Sequence, residues 1–87
     1  MADFASALKA LKSGQKVTRA GWNGKDQFAW YVPAGEYPAR MEAVKGEFEN
    51  DQVPYEAYFA LKNAQGKVVP WTPSVSDILA TDWDTLK

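Results

Sequence analysis

Apolar residues near the start of the chain recur at helical spacing, with Phe4, Ala7, Leu8 and Leu11 on one stripe. Asp3 stands at the N-cap position and Ser13-Gly14 supplies a left-handed stop, so the pattern predicts a short amphipathic helix between them. The period then shortens to that of a strand. Over residues 15–20, Val17 and Arg19 share one face and Thr18 and Ala20 the other. Gly21-Trp22-Asn23-Gly24-Lys25 reads as a turn, because Asn-Gly tolerates positive φ, and residues 28–32 follow as a dense aromatic strand. These segments predict a β-hairpin with Trp22 at its tip.

Neither period persists over residues 33–51, where two prolines, two glycines and scattered charge predict a long loop with an irregular strand or helical turn near residues 40–45. A loop of this length covers a pocket or reaches a neighbouring subunit in many compact domains. Alternation returns over residues 55–61, with Tyr55, Ala57, Phe59 and Leu61 on one face and Glu56, Tyr58 and Ala60 on the other. Residues 62–66 then form a hairpin loop and 67–71 its return strand.

Two tryptophans, two prolines and a helix start crowd into residues 68–83. Ser74 precedes Asp77 by three positions, just before Ile78-Leu79-Ala80, which is the spacing of a capping box. Pro70 and Pro73 flank Trp71 and pull the chain away from ladder pairing, placing Trp71 at a strand end that faces the helix N-terminus. Residues 81–84 come off as an extended tail. The sum is a single α+β domain spanning residues 1–87. It has a small antiparallel sheet of two hairpins, an N-terminal helix, a short C-terminal helix and a long central loop.

Composition narrows the function classes. The 87 residues include neither Cys nor His, which removes disulfides, thiolate chemistry and the commonest transition-metal ligands. Four Trp, four Tyr and four Phe are more aromatic surface than so small a domain covers alone, and subunit interfaces are expected. A net charge of −1 gives no global field toward DNA, RNA or an anionic membrane, so an anionic ligand needs a local cluster. The N-terminus has no basic run followed by an apolar one, and no stretch approaches a membrane span, so a soluble, cytoplasmic protein is expected.

Without His or Cys the catalytic inventory shrinks to carboxylates, hydroxyls, Lys and Tyr, and a binding module fits better than an enzyme. Asp77, Asp82 and Asp84 lie close in sequence, but their spacing is not that of a calcium loop and clustered surface acids are ordinarily solvated; no metal or cofactor is expected. Trp22-Asn23-Gly24-Lys25 combines a stacking plane, an amide that donates and accepts, unencumbered backbone and a cation, which together suit a nucleotide. On spacing alone the alternative stands equally: Asn-Gly makes the turn and Trp22 folds back onto the sheet. Trp71 beside the N–H groups of a capped helix likewise suits a nucleotide or simply belongs to the core. Arg19 and Arg40 fork onto a phosphate or pair with surface Glu, and the loop position of Arg40 favours the ligand. Three classes remain open: nucleotide-binding protein, nucleotide-cleaving enzyme, and inhibitor of a partner protein through an aromatic surface.

Several of these pieces, taken in order, resemble a known family. Leu8-Lys9-Ala10-Leu11-Lys12-Ser13-Gly14, Val17-Thr18-Arg19-Ala20-Gly21-Trp22-Asn23-Gly24-Lys25, Val69-Pro70-Trp71, Ser74, Asp77-Ile78-Leu79-Ala80 and Asp82-Trp83 are similar to the phage family called Thoeris anti-defence protein two. The likeness spans both ends of the chain, and residues 33–54 have no counterpart in it. It implies a non-catalytic sponge that sequesters, intact, the cyclic ADP-ribose isomer made by a bacterial TIR-domain immune enzyme. It further implies a homotetramer with pockets between subunits. In some members a separate site takes cyclic di- or trinucleotides from cGAS-like enzymes. The contacts it implies fall around the hairpin-tip tryptophan and the capped helix. Trp22 would stack on a base, Asn23 and Asp77 would bond its edge or the ribose, and Ser74 or Arg19 would hold phosphates, with Gly24, Trp71 and Arg40 nearby. Trp22→Ala is then expected to cost roughly 1–3 kcal/mol of binding and to leave the fold intact.

Overall fold

The computed structural model describes residues 1–86. The N-terminal stripe forms helix α1 (Phe4–Lys12), with the Asp3 carboxylate accepting the Ser6 N–H at 3.0 Å and Gly14 taking the left-handed φ of +93° just beyond its end. Its buried residues are Ala7, Ala10 and Leu11. Strand β1 (Lys16–Arg19) and β2 (Phe28–Val32) pair antiparallel around Val17 opposite Ala29. The central segment contributes β3 (Gly35–Pro38) and β4 (Gln52–Tyr55), followed by β5 (Tyr58–Lys62) and β6 (Val68–Trp71). A short helix α2 (Val75–Leu79) and strand β7 (Trp83–Leu86) close the chain.

One antiparallel sheet, ordered β6-β5-β2-β1-β7, carries both expected hairpins, and α1 packs across its β2-β1-β7 half. The α+β class thus stands as read. The core between helix and sheet is Ala7, Ala10, Leu11, Val17, Ala29 and Trp83, with Phe4, Trp22, Phe59, Leu61 and Trp71 packed around it. Those residues occupy alternate positions of neighbouring strands: Val17 faces Ala29, Phe59 faces Trp71 and Arg19 faces Trp83.

Four local expectations change. The segment 81–84 is not a free tail: Trp83–Leu86 pairs with β1 along its whole length, and Trp83 also bridges Ala2. Two Asp residues in so short a stretch hide the strand, since Asp is depleted in sheets. Second, the long connection holds a two-stranded sheet of its own, β3 with β4, and two short 3-10 turns at Glu42–Val44 and Glu49–Asp51. Pro38 and Pro54 obscured it, although a two-stranded ribbon is all edge and tolerates proline. Third, the expected strand 55–61 breaks at residues 56 and 57, so Tyr55 belongs to β4 and not to the face of Phe59 and Leu61. Pro70, for its part, stays in the ladder opposite Ala60, on the edge strand β6 where its missing N–H does no harm.

The β3-β4 ribbon extends the molecule to 47 × 26 × 25 Å with a radius of gyration of 15.5 Å. A compact domain of this length has about 12 Å. Tyr37 and Tyr55 pack across the ribbon with their rings tilted at 60°, 5.6 Å between centres, and stay about half exposed. No helix among the described residues is long and apolar enough to cross a membrane.

Candidate functional site

A fifth change concerns Trp22, and it sets the centre of the site. Residues 20–27 form a wide connection between β1 and β2, and the Trp22 ring leaves the tip and folds back against the core. It meets Trp83 edge-on at 5.4 Å and Trp71 at 6.0 Å, while Trp71 meets Trp83 at 6.1 Å. Three indoles from three parts of the chain therefore brace one another in the tilted geometries aromatic rings prefer.

Asp77 holds the polar ends of this cluster. Ser74 and Asp77 make the expected capping box: the Ser74 hydroxyl accepts the Asp77 N–H at 3.1 Å, and Asp77 Oδ2 accepts the Ser74 N–H at 3.0 Å. The other oxygen, Oδ1, accepts Trp22 Nε1 and Arg19 Nη1, both at 2.9 Å. The Asp77 backbone carbonyl accepts Trp83 Nε1, also at 2.9 Å. Asp77 is 7% exposed, yet each carboxylate oxygen has a donor. Burial alone would raise its pKa. The bonds from Trp22, Ser74 and Arg19 together outweigh that and hold the carboxyl below its ordinary value.

Arg19 is shared between two acids. Its Nε donates to Asp82 Oδ1 at 2.8 Å, while Asp82 Oδ2 accepts the Gly21 N–H at 2.7 Å. Asp82 thus pins both the strand end and the turn that follows it. The Arg19 bond and the Gly21 N–H keep its carboxyl below the ordinary range, and the two acids raise Arg19 in turn. Glycine at position 21 leaves room for this contact, since a Cβ there would lie 2.8 Å from Asp82 Oδ2 and push the carboxylate aside. The sequence pattern marks Asp82 as a solvated surface acid, whereas the fold pairs it with Arg19 and Gly21. The signal that would have found it is the recurrence of acids five apart, Asp77 and Asp82, matched to one arginine on the paired strand.

Of the eight candidate ligand residues, Arg19, Trp22, Trp71, Ser74 and Asp77 converge on this cluster. Arg19 pairs with Asp77 and Asp82, not with the surface Glu that was one of its two expected partners. Asn23 and Gly24 sit in the adjoining exposed loop, where Asn23 O accepts the Gln27 side-chain N–H. Gly24 takes φ +92° and packs so close to Ala64 that a Cβ would lie 2.7 Å from the Ala64 Cβ. Arg40 lies elsewhere. It lines a cleft of about 260 Å³ on the β3-β4 ribbon with Tyr37, Met41, Val44, Val53 and Tyr55.

Helix α2 is turned inside out. Its acid faces the protein, whereas Val75, Ile78 and Leu79 stand 73%, 48% and 74% exposed. An amphipathic helix on a free monomer buries the apolar side, so this face has the character of a contact surface. Trp22 and Trp71 are both partly buried. Two further clefts open on the chain, one of about 310 Å³ along Ser6, Lys9, Ala10, Ser13, Gln15 and Thr85, the other of about 330 Å³ between Tyr37, Tyr55 and Tyr58. Neither Trp22 nor Asp77 lines any of the three clefts.

Comparison with known proteins gives one consistent answer. A family model described as a Thoeris anti-defense 2-like domain matches residues 2–86. The chain is also 38% identical over 81 residues to the Thoeris anti-defense 2 protein of Bacillus phage SP01, a match covering 93% of this chain and 90% of that one.

Proposed function

The chain belongs to the Thoeris anti-defense 2-like family, and from that premise we propose that it counters Thoeris immunity for a phage by acting as a sponge. It binds a cyclic ADP-ribose isomer made by the TIR enzyme of the defence, holds it without cleaving it, and so keeps the downstream effector silent. The observation that carries this reading is the Asp77-centred cluster. A sponge does no chemistry and competes on affinity, which favours a site already rigid before the ligand arrives. Trp22, Trp71, Arg19 and Asp82 are fixed in such a way, next to a loop opened by Gly24.

In this reading the indole planes of Trp22 and Trp71 stack on the base, and Asn23 and the exposed Ser74 offer polar groups to the ribose and phosphates. Arg19 and Asp77 act as braces more than as contacts, since their hydrogen bonds point inward. The outer face of α2 docks on a second copy of the chain in a homo-oligomer, a tetramer in the family pattern. That copy supplies the missing wall of the pocket beside Trp22. Arg40 and the tyrosines of the ribbon stand apart as the surface for a cyclic di- or trinucleotide.

The test is a reconstituted one. Purified protein is mixed with the TIR-derived signal and then with an effector that the signal activates. The proposal expects the effector to stay off, and heating the mixture to denature the protein before adding effector to restore activation. An effector that fires in the presence of excess protein would overturn it.

A further inference from the structure

Three asparagines stand in different surroundings, and among the described residues only one of them has both its amide and the next backbone nitrogen free of a protein partner. Asn63 is pinned, its Oδ1 accepting the N–H groups of Gln65 at 3.1 Å and Lys67 at 2.9 Å. Asn50 precedes Asp51, whose N–H is engaged by Phe48 O at 3.1 Å. Asn23 is exposed, and among the described residues neither its carboxamide nor the Gly24 N–H has a protein partner. Gly24 carries no Cβ to block a ring closing over it. The Asn23 carbonyl accepts the Gln27 side-chain N–H.

From this we infer that Asn23-Gly24 is a self-modification site, at which the folded protein converts its own asparagine to aspartate or isoaspartate. The Gly24 nitrogen attacks Asn23 Cγ, the bond from Cγ to the amide nitrogen breaks, and ammonia leaves with the proton given up by Gly24. Water then opens the five-membered imide at either carbonyl, regenerating the Gly24 N–H and leaving a carboxylate. The net reaction is amide plus water to acid plus ammonia, with no change in oxidation state. It adds one negative charge to a chain of net charge −1, at a loop beside Trp22. The site stands on loop geometry. Its effect on a nucleotide held by Trp22, repulsion of the phosphates by the new carboxylate, rests on the function proposed above.

Ageing the purified full-length protein in mildly alkaline buffer, followed by peptide mapping with isoaspartate detection, tests the modification without any ligand. Position 23 should gain one mass unit well ahead of positions 50 and 63, ion exchange should show a growing acidic form, and Asn23→Gln should abolish that form. The inference is overturned if position 23 keeps its amide in the folded protein while the same chain unfolded in urea converts, or if position 50 or 63 converts as fast as 23. Affinity of Asn23→Asp for a cyclic ADP-ribose isomer is a separate readout. A loss there supports the role of Asn23 in binding, and an unchanged value removes that role while leaving the modification as measured.

Discussion

Trp22 Nε1 and Asp77 Oδ1 lie 2.9 Å apart, so the indole is tethered by its polar edge while its ring is clamped between Trp83 and Trp71. This pair ties the turn after β1 to the first turn of α2, 55 residues further along the chain. The tether changes what truncation of the tryptophan means. Trp22→Ala removes a core-packed ring as well as a stacking plane, and should destabilise the fold by about 3 kcal/mol, instead of sparing it as the sequence suggested. Trp22→Phe keeps a six-membered ring but loses the pyrrole half of the indole with its N–H, and should cost less than Ala, about 1–2 kcal/mol. Urea unfolding of the two variants separates the contributions.

Asp77 is the more sensitive half of the pair. Asp77→Ala leaves the Trp22 and Arg19 donors without an acceptor and cancels the capping box, and removing one partner of a mostly buried ion pair typically costs about 3 kcal/mol or more. Asp77→Asn keeps the size and one acceptor and should be milder. Thermal melts of both variants give the order directly: wild type most stable, Asn next, Ala least. An Ala variant as stable as the wild type would mean the network carries no weight.

Asp77 and Asp82 are both held below their ordinary carboxylate pKa of 3.8. A depressed folded-state pKa stabilises the fold fully above the unfolded value and is lost as pH falls through the folded one. Stability should therefore be flat around neutrality and drop as the pH passes below about 4, with a shallower drop in Asp82→Asn. Chemical denaturation across an acid series reads this out.

The exposed side of α2 makes a prediction about assembly. Val75→Lys together with Leu79→Lys touches no hydrogen bond of the Asp77 cluster, so the melting temperature of the chain itself should move little. The homo-oligomer proposed above should instead fall apart. Analytical ultracentrifugation of the double variant should find a smaller species than the wild type, with circular dichroism unchanged.

Much of this was legible in the residues. The Asp3 cap, the Phe4 to Leu11 stripe and the Ser74-Asp77 box are local signals set by neighbours three and four positions away, and each formed as read. Strands β1, β2, β5 and β6 were equally local signals, read from alternation in β1 and β5, aromatic density in β2 and the hairpin loop before β6. What escaped depended on distant partners. Strand β7 is a strand because β1 offers it an edge, and nothing in Trp-Asp-Thr-Leu announces this. Tyr37 and Val53 face each other across fifteen intervening residues, with prolines at both flanks of their alternation. Trp22 left the hairpin tip because Asp77 and two other indoles attract it, and Asp82 looked solvated because its arginine lies on another strand. Of the site, the residue types were readable from the sequence, whereas their roles as contacts or braces required the geometry.

The central claim is that a small cyclic nucleotide is held and released unchanged. It is tested most directly by loading the protein with the cyclic ADP-ribose isomer, washing away free ligand, denaturing by heat and measuring the released molecule by mass spectrometry. The account predicts recovery of the intact signal in proportion to the protein. Recovery of a cleaved product would make the protein an enzyme, and recovery of nothing would contradict binding altogether.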